Sequence, residues 1–215
     1  MQTETRRKFY TAIILLAAFI LWTVLVCLVD VQPIGPDHST VGFATLNGFF
    51  HHLIGVNWTL YAITDWLGLV PLGVMLLFAM LGLCQWVHRK ALKKVDFDIL
   101  VLGGSYLLTL AVFALFEVLA INHRPVLIEG ILEASYPSST TMLVLCVIPT
   151  AVHRLRSRIH HPLAKQLVTY VLMAFAAFMV IGRLLSGVHW LSDIIGGALF
   201  SGGLVILYWA VLDMK

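Results

Sequence analysis

Six apolar runs, near residues 9 to 29, 67 to 87, 99 to 120, 139 to 153, 167 to 185 and 190 to 212, constrain this chain more than any other feature. A helix needs roughly 20 predominantly apolar residues to cross the hydrocarbon of a bilayer, where every backbone polar group must be satisfied within the protein. Six such runs take up most of the 215 residues. With 60% hydrophobic and only 12% charged residues, and a mean hydropathy of +0.94, a soluble globular domain is excluded. The expected fold is all-α: a polytopic six-transmembrane-helix bundle forming one domain over residues 1–215, with no linker or internal repeat to divide it. The fourth run is short and is completed by a helix continuing past Ala151. The first run follows a basic tail but exceeds a signal-peptide core and lacks a small-residue cleavage site, so it reads as a retained helix. Cys27, Cys84 and Cys146 fall inside the runs at no metal-ligand spacing, which indicates neither a disulfide framework nor a zinc site.

The basic residues orient the bundle. Arg6, Arg7, Lys8, Arg89, Lys90, Lys93, Lys94, Arg154, Arg156, Arg158, Lys165 and Lys215 fall on one side of a six-span arrangement, twelve of the fourteen Lys and Arg. By the positive-inside rule that side is cytoplasmic, with both termini, in a plasma (inner) membrane. The net charge of +3 therefore reports orientation and contact with lipid headgroups, and no nucleic-acid partner is implied. Arg124 and Arg183 are the exceptions. A cation kept outside against this bias calls for an anionic partner. The longest connection, Asp30 to Trp66, carries Phe49, Phe50, Trp58, Tyr61 and Trp66. It reads as an interfacial segment, either guiding a lipid to a lateral opening or packing as a lid or anchor.

Three motifs converge on the outer face. In GRLLSGVHWLSD, Arg183 is followed after five residues by His189 and after three more by Asp193, at the turn between the fifth and sixth runs. Four residues apart on a helix, Asp193 can accept the His189 ring N–H and leave the other nitrogen as a nucleophile. The unpaired N–H groups of the sixth helix add an anion site beside Arg183. In INHRPVLIEG, Arg124 is placed to clamp phosphate oxygens. In YPSSTTML, Ser138, Ser139 and Thr140 open the fourth run, where hydroxyls bind phosphate or cap the helix.

Together these motifs resemble the type 2 phosphatidic acid phosphatase family of membrane phosphatases, over most of the chain. The resemblance implies that His189 attacks phosphorus to form a phosphohistidine, that Asp193 orients it, and that Arg124, Arg183, Ser138, Ser139 and Thr140 hold the phosphoryl group. It implies no metal and no cofactor, and membrane-embedded lipid phosphates or diphosphates as partners. The chain departs from the family pattern at three places. Glu117 stands where a Lys is expected seven residues before Arg124, and is expected to pair with Arg124. Gly182 replaces a Ser. Thr140 stands where the family has the His that protonates the leaving oxygen. General acid catalysis contributes typically 10²- to 10⁴-fold, so three outcomes are open. The substrate is a diphosphate of the polyprenyl or diacylglycerol type, whose leaving group needs little protonation; or His123, His51 or His52 serves as acid; or hydrolysis is lost and the pocket binds or moves an anionic lipid. A phosphotransferase using the same histidine fits equally.

Overall fold

The computed structural model describes residues 3–215, and the chain there is helical, with three isolated β-bridges and no strand among the described residues. Eight α-helices follow in order: α1 (Thr3–Leu28), α2 (Ala44–Ile54), α3 (Trp58–Leu67), α4 (Leu69–Arg89), α5 (Phe97–Leu119), α6 (Ser139–Arg156), α7 (Pro162–Leu185) and α8 (Leu191–Leu212). The apolar runs of the sequence map onto α1 and α4 to α8. Five apolar segments are long enough to cross a membrane: α1, the α3–α4 stretch, α5, α7 and α8.

The sixth expected span, α6, does not meet that measure, and the reason is its position. It has 18 residues, begins Ser-Thr-Thr and ends in Arg154 and Arg156. It packs against α4, α5, α7 and α8, so it lies among other helices and meets little lipid. A helix surrounded by protein can carry hydroxyls where a lipid-facing one cannot. Thr150 returns its hydroxyl to the Cys146 carbonyl at 2.7 Å, and the Tyr106 hydroxyl lies 3.1 Å from it. α8 is also largely buried, between α1 and α6, with Phe19, Met142, Phe200 and Leu204 in one apolar cluster.

The Asp30–Trp66 connection is mostly helical. It forms α2 and α3, and Gly68 keeps right-handed helical dihedrals (φ −60°, ψ −19°), so α3 runs on into α4. The resulting 32-residue stretch is up to about 48 Å long, more than the ~30 Å hydrocarbon requires. Its α3 end packs against α7. Gly182 makes this approach possible, because a Cβ there would meet the Thr64 methyl at 2.7 Å. The departure from Ser at this position has a packing cause.

Ion pairs gather the basic residues at one end of the bundle. Lys8 meets Asp213 at 2.6 Å, Arg89 meets Asp96 at 2.7 Å, and Arg154 pairs with Asp98. The end of α5, the start of α6, the end of α7 and the start of α8 lie at the other.

Candidate active site

The second and third motifs are joined by a folded loop. Between α5 and α6 the chain doubles back, with the Arg124 N–H donating to the Glu133 carbonyl at 3.0 Å and the Ser135 N–H to the Asn122 carbonyl at 2.8 Å. This brings Arg124 and Glu133 side by side: Arg124 Nε lies 2.9 Å from Glu133 Oε2. The expected partner, Glu117, makes no ion pair with Arg124; it sits exposed in the last turn of α5. Local chain reversal delivers Glu133, whereas Glu117 would have to reach across two turns.

His189 and Asp193 differ from the helical pair expected. α8 starts at Leu191 with Trp190 as its N-cap, so His189 precedes the helix. Asp193 closes a capping box, its Oδ2 accepting the Trp190 N–H at 3.0 Å. Its Oδ1 accepts from Asn122 Nδ2 at 3.3 Å and from Ser192 Oγ at 3.4 Å. The His189 Nδ1 to Asp193 Oδ2 distance is 3.6 Å, just beyond a hydrogen bond. On the other side of the ring, Nε2 lies 3.5 Å from Arg124 Nη1. A guanidinium only donates, so the lone pair belongs on Nε2 and the ring proton on Nδ1, toward the carboxylate. Burial, and then the charges of Arg124 and Arg183, hold the imidazole pKa well below its ordinary value, with the Ser135 carbonyl opposing. At neutral pH the ring is uncharged.

Arg183 is 2% exposed and comes from the last turn of α7. Residues of α3 hold it: Thr64 Oγ1 and Asp65 Oδ1 each at 3.4 Å, with the Tyr61 ring centroid 5.1 Å from its Cζ. Arg124 Nε, Arg183 Nε and His189 Nδ1 are all buried without a hydrogen bond; the Arg124–Glu133 contact is close but poorly aligned for one. Buried donors are nearly always paired. The His189 N–H is turned to Asp193, and the orphaned guanidinium donors of Arg124 and Arg183 are what an oxyanion would use.

A cavity of about 260 Å³ lies against Arg124 and His189, lined also by Glu117, Glu133, Tyr136 and Ser139 among others; Arg183 stands behind its lining. Of the three hydroxyl residues expected there, Ser139 lines it. Ser138 is the α6 N-cap, its Oγ accepting from the Thr141 hydroxyl at 3.0 Å, and its N–H donates to the Asp193 carbonyl at 3.1 Å. Thr140 is buried outside the lining. The histidines offered as substitute acids lie outside the lining too. The His123 carbonyl accepts the Trp190 indole N–H at 2.6 Å, and the His51 ring lies 5.4 Å from that of Trp190. His52 is exposed on α2.

Sequence reasoning missed five contributors. Asn47 of α2 bonds the Ser192 hydroxyl at 2.9 Å and accepts its N–H at 3.1 Å, anchoring the start of α8. Asn122, Glu133 and the Thr64–Asp65 pair complete the set. A polar residue beside a recognised motif, as Asn122 is beside His123-Arg124-Pro125, was the available signal; nothing in the sequence pairs Asp65 with Arg183.

The site of this all-helical membrane protein thus has one guanidinium and an imidazole on the wall of a small cavity and a second buried guanidinium near enough to act on the same imidazole. The family follows. A sequence model of the PAP2 superfamily matches residues 100–215, and the chain belongs to that superfamily. No curated protein matches. Among solved structures, the first transmembrane PAP2 type phosphatidylglycerolphosphate phosphatase from Bacillus subtilis is similar, at 24% identity and a TM-score of 0.43, over 80% of this chain and 96% of that one.

Proposed function

We propose that this protein is a membrane phosphatase that hydrolyses a lipid phosphate or diphosphate through a phosphohistidine at His189. The observation that carries the reading is the ring placement: Nε2 faces Arg124 at 3.5 Å, and Nδ1 faces Asp193 at 3.6 Å. Nε2 attacks phosphorus, and the Asp193 carboxylate stabilises the imidazolium charge that develops. Arg124 and Arg183 take the equatorial oxygens, where charge grows in the transition state. Ser139 adds a hydroxyl from the start of α6. Water then hydrolyses the phosphohistidine. The scheme uses no metal.

The bundle crosses the membrane six times with α6 as the central span, as one domain. Both termini are cytoplasmic, because Lys8, Arg89, Arg154 and Lys215 share one end. The site then faces the extracytoplasmic side. A cavity of about 260 Å³ accepts a headgroup and leaves the lipid tail outside. Phe113 and Phe116 of α5 form its apolar wall, so the tail leaves alongside α5. A polyprenyl or diacylglycerol diphosphate is the substrate that asks least of a proton donor.

The test is phosphate release by purified protein from mono- and diphosphate lipids in liposomes, followed by trapping of the phosphoenzyme. Wild type is expected to yield an acid-labile, base-stable phosphoryl label that His189→Ala lacks, and vanadate is expected to inhibit. Turnover that survives His189→Ala would remove the reading, and so would an inert wild type.

A further inference from the structure

A monoester substrate leaves as an alkoxide and needs a proton, and Thr140, in the place of the expected donor, is outside the cavity. The cavity wall offers two carboxyl groups instead, Glu117 and Glu133. Their placement separates them. Glu117 is on an exposed turn of α5, without an ion pair. Glu133 is fixed to Arg124 twice, by its carbonyl at 3.0 Å and by its carboxylate at 2.9 Å. The carboxylate contacts Nε of that guanidinium, whereas His189 contacts Nη1. A phosphoryl group held by Arg124 therefore has the nucleophile near one nitrogen of its clamp and a carboxyl near another. The Glu133 side chain keeps 38% exposure, so it can exchange protons with water.

The geometry points to Glu133 as the general acid and base of this site, acting where the family histidine is absent. The inference rests on the phosphatase reading above and extends it to lipid phosphate monoesters. Before substrate arrives, the Glu133 carboxylate shares the charge of Arg124. A phosphate monoanion that takes over that guanidinium brings a proton with it and passes it to the adjacent carboxylate. The other groups facing it are His189 across the cavity, Glu117 from α5 and Tyr61 from α3. As the His189 Nε2–P bond forms and the ester P–O bond breaks, Glu133 gives its proton to the leaving oxygen, which departs as the alcohol. In the second half, water attacks phosphorus, the N–P bond breaks, and Glu133 takes the proton of that water. Hydrogen phosphate leaves with Glu133 again protonated.

The experiment compares kcat/KM of the purified full chain on phosphatidic acid, with its poor alkoxide leaving group, and on p-nitrophenyl phosphate, whose phenolate needs no proton. Glu133→Gln is expected to lower the phosphatidic acid value by about 10²- to 10⁴-fold. The aryl ester value, which reports the first step, is expected to stay within about tenfold of wild type, because little acid assistance is lost there. A p-nitrophenol burst and an accumulating phosphohistidine accompany it, since the second step then lacks its base. Glu133→Asp restores part of the phosphatidic acid rate. Equal losses on the two esters, the result of misplacing Arg124 or of misfolding, overturn the proposal; so does an unimpaired rate on phosphatidic acid. Failure of His189→Ala to abolish turnover instead brings down the phosphatase reading itself.

Discussion

Replacing Gly187 by Ala tests whether the turn between Arg183 and His189 is held by the α2–α3 connection that packs on it. Gly187 has φ +70°, and a Cβ there would stand 1.9 Å from the Gly55 carbonyl oxygen, 3.0 Å from its carbon and 3.2 Å from Val56 Cα. All three are backbone atoms, so no rotamer change relieves the clash. The α2–α3 connection has to move. The first loss is the bond from the Asn57 N–H to the Ser186 carbonyl, at 3.0 Å, which clips the two segments together. Left-handed backbone costs a side-chain-bearing residue about 1–2 kcal/mol, and the hydrogen bond contributes about 1 kcal/mol. The sum corresponds to a Tm lower by about 5–10 °C for a chain of this size. The catalytic effect is larger than the stability effect. Gly187 lies two residues from His189, and a displacement of about 1 Å at a reacting group lowers the rate on the order of 10²-fold. Thermal unfolding in detergent and kcat on a lipid phosphate measure the two separately. Gly130→Ala is the control: its φ is +79° but nothing lies within 4 Å of the added methyl, so it carries backbone strain alone and keeps its activity. A Gly187→Ala protein with wild-type Tm and kcat, or one no worse than Gly130→Ala, would refute the reasoning.

Other expectations follow from the site. Arg124→Gln removes one of the two positive charges that, with burial, hold the His189 pKa down, so that pKa rises toward its ordinary value. With His189 in the role proposed for it, the acid limb of kcat/KM is set by its protonation and moves to higher pH; a shift to lower pH in the variant contradicts that proposal. Thr140→His does not improve monophosphate hydrolysis, because position 140 does not line the cavity. It overpacks the start of α6 at a cost of about 1–3 kcal/mol, read as a lower Tm. A monophosphatase gain in that variant would place a donor where the structure does not.

The six apolar runs were enough to set the class of fold and most helix limits, since lipid imposes both length and apolarity on a spanning segment. α6 shows the limit of that rule, because its neighbours set how polar it can be. The grouping of Arg124, Arg183 and His189 was legible from charge placement and spacing, since cations away from the basic end of the bundle, and an imidazole six residues from one of them, stand out locally. Capping roles were only half legible. Ser138 turned out to cap α6, and Asp193 caps α8 while also facing the His189 ring; sequence alone does not divide a side chain between two uses.

The sequence by itself determined a helical membrane protein with two guanidinium groups and one imidazole set near the ends of its last four long helices. Tertiary structure alone decided the partners of those groups. Glu133 meets Arg124 because a loop doubles back, and Asp65 meets Arg183 because α3 crosses α7 at Gly182. Spacing along one helix is fixed by its pitch, so it can be read from a sequence. Proximity between helices depends on packing over the whole bundle, and no local pattern records it.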